Sequence, residues 1–80
     1  LWLVERSFDT RNSVTLTYST TDGAHRYRLQ ATVDRLSRDP ATAAVSRDAD
    51  AVTPTPEKHR ERYADEATRM AESHNPDEPV

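Results

Sequence analysis

His59, Tyr63, Glu66, Met70 and His74 recur at the spacing of one helix stripe. Two imidazoles and a carboxylate on one stripe are raw material for a metal site or an acid–base pair. Their separation argues against both. His59 and His74 are fifteen residues apart, and about 22 Å of helix rise keeps them from sharing one ion. No HExxH spacing occurs. The chain has no cysteine, which excludes thiolate ligands, disulfides and a Cys nucleophile. None of its serines sits in a nucleophile-elbow motif. The single glycine, Gly23, is needed for a turn, so no glycine-rich phosphate loop is available. We therefore expect no enzyme activity, no cofactor and no metal from this chain. His74 is expected instead to close a helix C-terminus, where a cation is favoured.

What remains is arginine on a β-surface. Strand alternation puts Glu5 and Ser7, then Ser13, Thr15, Thr17 and Ser19, then Arg26, Arg28, Gln30 and Thr32 on one polar face. The expected register sets Glu5, Thr17 and Arg28 in one row, with Ser19 beside Arg26. Guanidinium groups among hydroxyls could grip phosphate. No aromatic lies among them, however, so the stacking platform of single-strand binders is missing. Leu1 and Leu3 share this face at one end. The candidate binding surface is therefore Leu3, Glu5, Thr17, Arg26 and Arg28. Its partner is expected to be another protein or a second copy, with nucleic acid behind them. The plainest alternative is a solvated sheet face rich in threonine. Arg6, the one charge on the opposite, apolar face, is expected to reach past the sheet edge to a helix carboxylate such as Glu66.

Two turn signals position these residues. In "YSTTDGAHRY", Asp22-Gly23 suits a type I′ hairpin turn, which pairs Tyr18 with Tyr27, Leu16 with Leu29 and Val14 with Ala31. A slip by one residue would set Tyr18 against Arg26. Upstream, a turn over Asp9-Thr10-Arg11-Asn12 leaves Asp9 opposite Ser13, Phe8 opposite Val14, Arg6 opposite Leu16, Val4 opposite Tyr18 and Trp2 opposite Thr20. Three strands thus share one apolar face, with Phe8 on it. "DRLSRDP" reads as a loop, residues 42–47 as a possible short edge strand, and "ADAVTPTP" as a linker. Thr55-Pro56-Glu57 reads as an N-cap, a first-turn proline and a favourable acid, opening a helix to about His74. Tyr63, Ala67, Met70, Ala71 and His74 give that helix a narrow apolar stripe, the natural cover for the sheet's apolar face. Its other side, "EKHRERYADEATR", carries mixed charges at helical spacing and reads as a solvated face.

The fold expected is α+β: a three-stranded antiparallel meander, with a fourth strand left open, covered on one face by a C-terminal helix. Residues 1–75 would form a single small domain and 76–80 a flexible tail. At 80 residues and 34% hydrophobic content, the core must be small. No apolar run approaches the roughly 20 residues of a membrane span, and "LWLV" is too short for a signal-peptide core, so a soluble, cytoplasmic chain is expected. The start at Leu1 suits a piece of a longer chain or a UUG start codon read literally. Of eleven basic residues only Lys58 is lysine, and aspartate outnumbers glutamate. This bias fits a GC-rich genome and a salt-adapted cytoplasm. The stretches "LVERSFDTRNSVTLTYSTTDG" and "RERYADEATRMAESHNPDEPV" resemble a family of short uncharacterised proteins from halophilic archaea. The resemblance implies a self-contained domain of about this length and carries over no functional residue. The function expected is that of a small non-catalytic interaction protein; a nucleic-acid-associated regulator using Arg26 and Arg28, or an accessory subunit of a larger complex, are the alternatives.

Overall fold

A computed structural model describes residues 1–9 and 12–80. Three antiparallel strands, β1 (Trp2–Phe8), β2 (Ser13–Ser19) and β3 (His25–Thr32), form the meander. A short helix α1 (Val33–Arg38), a 3-10 turn at Ala49–Ala51, a two-residue strand β4 (Thr53–Pro54) and helix α2 (Glu57–Ser73) complete the order. The sheet runs β1-β2-β3-β4. Its fourth strand is therefore Thr53–Pro54, against His25 and Arg26. Within residues 42–47, only Thr42 and Ala44 make bridges, Trp2 with Ala44 and Thr42 with Pro79.

The β2–β3 register follows from side-chain matching: Tyr18 faces Tyr27, Leu16 faces Leu29 and Val14 faces Ala31. The turn itself sits one residue earlier than a type I′ reading places it. The Gly23 amide donates to the Thr20 carbonyl at 2.9 Å, which centres the turn on Thr21 and Asp22 and leaves Gly23 just after it at φ 75°. The Asp22 carboxylate decides this. It accepts from the Ala24 amide at 3.0 Å and the Thr20 hydroxyl at 2.6 Å, and the Thr20 bond, then the Ala24 bond, lowers its pKa from the usual carboxylate value. The register survives because four residues, 21–24, still separate Thr20 from its partner His25.

Between β1 and β2 the Asp9 amide donates to the Ser13 carbonyl at 2.8 Å. Phe8 faces Val14, Arg6 faces Leu16 and Glu5 faces Thr17. The turn expected over Asp9-Thr10-Arg11-Asn12 lies partly outside the described residues. Beyond Glu5 the expected register fails. A bulge between Leu3 and Glu5 sets Leu3, not Val4, against Tyr18, and Trp2 against Ser19. The extra residue turns Leu1 and Leu3 onto the apolar side, where both pack on the Val14–Leu16–Tyr18 cluster. It also presents the Leu3 amide to the Ala43 carbonyl and the Leu1 carbonyl to the Val45 amide, each at 2.9 Å. Both leucines are half-buried this way, so each gains less than the roughly 1.5–3 kcal/mol of a fully buried leucine.

The two helices cover opposite faces of the sheet, and the C-terminal one does not roof the apolar side as expected. The apolar face, centred on buried Val14, Leu16 and Tyr18, is closed by Leu36 of α1 and by Ala41 and Val45. The Tyr18 hydroxyl donates to the Thr42 carbonyl at 3.2 Å, and burial raises its pKa. α2 lies instead on the polar face. Its Tyr63 hydroxyl donates to Glu5 at 3.1 Å, and its Thr68 hydroxyl donates to the Thr21 carbonyl at 3.4 Å. Thr17 and Ser19 are buried there, as are Tyr63 and Ala67 of the helix stripe. Short hydroxyl side chains on the sheet and alanine on the helix allow this close seat. α1 replaces the loop expected over "DRLSRDP", and Thr32 caps it by accepting from the Arg35 amide at 3.0 Å. Thr55, expected to cap α2, does not: Pro56 holds that position with no side-chain bond. Residues 76–80 hydrogen-bond to the segment that follows α1. The Ala43 amide donates to Glu78 and the Val80 amide to Ala41, at 2.8 and 2.9 Å.

Candidate interaction surfaces

The five residues read from the sequence as one surface are divided by this fold. Glu5, Thr17 and Arg28 do form a row, and Ser19 does pair with Arg26. Leu3 faces the other side, packed in the apolar cluster. Thr17 is 1% exposed beneath α2. Glu5 is engaged by the Tyr63 hydroxyl at 3.1 Å and by Arg62 at 3.6 Å. Arg26 is half-buried, with its Nε enclosed and without a hydrogen-bond partner among the described residues. Arg28 alone of the five stays exposed. Arg6, expected to meet Glu66, donates to the Val80 carbonyl at 3.1 Å, while Glu66 pairs with Arg69 at 2.9 Å. Arg6 pairs with Leu16 across the sheet, and the terminal residue takes its guanidinium instead.

The charged end of α2 forms a tight cluster around Glu5. His59 stacks on Tyr63 with ring centroids 5.4 Å apart. The Arg62 guanidinium lies 5.2 Å from the Tyr63 ring centre and 3.3 Å from His59 Nδ1. Partial burial, then Arg62 and Lys58, pushes the His59 imidazole below its ordinary pKa. These groups satisfy one another, and Tyr63 is 2% exposed, so the arrangement braces α2 on β1. His74 ends α2, its Nε2 3.5 Å from Glu78, at the opposite end from His59. Among the described residues, no group of three or more histidine, aspartate or glutamate side chains converges on one point. None of the described helices is long and apolar enough to cross a membrane.

The surface that the sequence reading missed is apolar. Phe8, expected in the covered core, is 71% exposed, and Val33 is 37% exposed. Both line a shallow groove with Arg6, Val14, Leu36 and Ser37. Phe8 shares a face with buried Val14 but occupies the last pair of β1, where Leu36 borders it without covering its ring. Position along the strand was the available signal: Phe8 immediately precedes the turn. A second groove, lined by Leu1, Trp2, Ala44, Val45 and Pro76, marks where the bulged end of β1 meets the terminal residues.

No curated protein and no solved structure matches the chain. One family model does match, over residues 1–80. The chain belongs to DUF7967, a family of unknown function.

Proposed function

We propose that the chain is a small non-catalytic interaction protein that engages another protein molecule through the patch around Phe8. The exposure of Phe8, at 71% beside Val33 at 37%, carries this reading. A phenylalanine held in water forgoes roughly 1.5–3 kcal/mol of burial. Here it continues the edge of a core cluster instead of standing alone, which is the setting of a contact surface. The reading assigns no catalysis to this chain, because Glu5, His59, Arg62 and Tyr63 are committed to one another. It places the protein in a salt-adapted cytoplasm of haloarchaeal type, on the strength of ten arginines to one lysine and the acidic balance of −3.

The nucleic-acid reading ranks second. It needs Arg26 and Arg28 together, and Arg26 is half-buried beneath α2. An accessory-subunit role would use the same Phe8 surface. The test is affinity purification from the native host at native salt, with wild type and Phe8→Ser compared quantitatively. A protein, or a differently tagged second copy, retained in stoichiometric amount by the wild type and lost with Phe8→Ser supports the proposal. Identical retention by both, or bait alone, overturns it. Co-purifying nucleic acid released by the double variant Arg26→Gln and Arg28→Gln would put the second reading first.

A further inference from the structure

Resting on that reading, we propose that the partner is a second copy of this chain. It adds to the outer edge of β1 about a two-fold axis at Ser7, so that Arg6 of each copy lies opposite Phe8 of the other.

The Asp9 amide points to Ser13 across the ladder. Alternation along β1 then aims the N–H and C=O of Ser7 and Glu5 at β2, and those of Arg6 and Phe8 outward. Past the bulge the outward groups of Leu1 and Leu3 are taken by Val45 and Ala43. Among the described residues, no backbone hydrogen bond takes up the outward groups of Arg6 and Phe8. Both residues, and Ser7 between them, are exposed. The edge is therefore blocked at one end and open over Arg6–Phe8, a short template for strand addition.

Parity and charge then select one register. An antiparallel two-fold pairing must oppose outward residues to outward residues, so its axis falls on Arg6, Ser7 or Phe8. An axis at Arg6 sets guanidinium against guanidinium. An axis at Phe8 satisfies only the Phe8 pair among the described residues. An axis at Ser7 forms two pairs, each exchanging two hydrogen bonds, with a small side chain at the centre. It also brings the Phe8 ring of one copy to the Arg6 guanidinium of the other, whose Nη2 donates to its own Val80 carbonyl at 3.1 Å while its planar face is offered to the ring, a cation–π pair made twice by symmetry. That ring then borders the groove lined by Arg6, Val14, Val33 and Leu36. On the opposite face this register brings Glu5 towards Asp9 of the other copy, and Glu5 arrives already compensated by Arg62 at 3.6 Å and the Tyr63 hydroxyl.

The test combines sedimentation equilibrium with amide hydrogen exchange on the full chain at native salt. The wild type should show a concentration-dependent dimer. Phe8→Arg, which places like charges in both symmetric pairs, should weaken it about tenfold or more. Adding Arg6→Glu to Phe8→Arg should restore association by creating opposite-charge pairs. Far-UV circular dichroism identifies any variant that has lost its fold. The wild type alone supplies the decisive readout: the Arg6 and Phe8 amides should be protected at high concentration and exposed on dilution, while the Ser7 amide stays protected throughout. A dimer whose Arg6 and Phe8 amides exchange freely at every concentration overturns the edge pairing and leaves the interaction reading standing. A monomer up to millimolar concentration overturns the second copy as partner. If that monomer still retains another protein through Phe8, the interaction reading survives; if it retains nothing, both fall.

Discussion

Gly23→Ala is the most informative single perturbation of the fold, because two separate costs can be worked out. Gly23 is buried with φ at 75°, in the left-handed region. A Cβ there would collide with the Arg60 carbonyl oxygen and lie 3.0 Å from the Ala64 amide nitrogen. The obstacle is helix backbone, so α2 itself would have to move. Holding alanine in the left-handed region costs about 1–2 kcal/mol, and forcing packed elements apart costs about 1–3 kcal/mol. Together they remove about 2–5 kcal/mol from a domain whose total stability is on the order of 4–12 kcal/mol. The melting midpoint should fall by about 10–30 °C, and urea unfolding followed by circular dichroism measures the loss. Gly23→Asn separates the two costs, since asparagine tolerates positive φ but still carries the Cβ. It should recover the conformational part and retain the collision. A loss below about 0.5 kcal/mol for Gly23→Ala would refute the close seat of α2 on the hairpin turn.

Three further outcomes follow from named contacts. Tyr63→Phe removes the hydroxyl that donates to Glu5 at 3.1 Å; with Glu5 partly exposed, the loss should be about 1 kcal/mol, read as a lower urea midpoint. Thr55 is 1% exposed, and its Oγ1 has no hydrogen-bond partner among the described residues. Thr55→Val should therefore stabilise the fold by about 1 kcal/mol in the same assay, and destabilisation would show that the hydroxyl is satisfied. His59 binds its proton less readily folded than unfolded, through partial burial and the nearby Arg62 and Lys58. The unfolded chain takes up protons first, so stability should decline as pH falls through the unfolded imidazole range near pH 6.5 and level off below the folded-state value. His59→Gln should remove that component from urea midpoints measured between pH 5 and 8.

Much of the sheet could be read from side-chain pairing. Tyr18 with Tyr27 and Leu16 with Leu29 fix one register whatever the turn's internal geometry, which is why moving the turn by one residue left the strands in place. The α2 stripe was legible from its helical spacing: Tyr63 and Ala67 are buried and Met70, Ala71 and His74 half-buried. What a stripe does not reveal is the face it meets. An apolar strip made largely of alanine fits a bed of Thr17 and Ser19 as well as it fits leucine. The expected covering of Leu16 was supplied instead by Leu36, Ala41 and Val45, in a region with little periodicity. The bulge at Leu3–Glu5 has no compositional mark, since "LWLVE" alternates acceptably in either phase. α1 spans six residues, too few for helical periodicity to emerge, although Thr32 and Asp34 at its start were a readable cap and first-turn acid. The candidate surface failed to stay together because its parts depended on that phase and that face: Leu3 on the first, Thr17 on the second.

The central claim is that the two faces of the sheet have different roofs, α2 over the hydroxyl-bearing side and residues 36–45 over the aliphatic side. Nuclear Overhauser spectroscopy of the full chain tests it directly. The account predicts cross-peaks from the Tyr63 ring to Glu5 and Thr17, and from Leu36 methyls to Leu16. Cross-peaks from the Tyr63 ring to Leu16 and Leu29, with Thr17 silent, would contradict it.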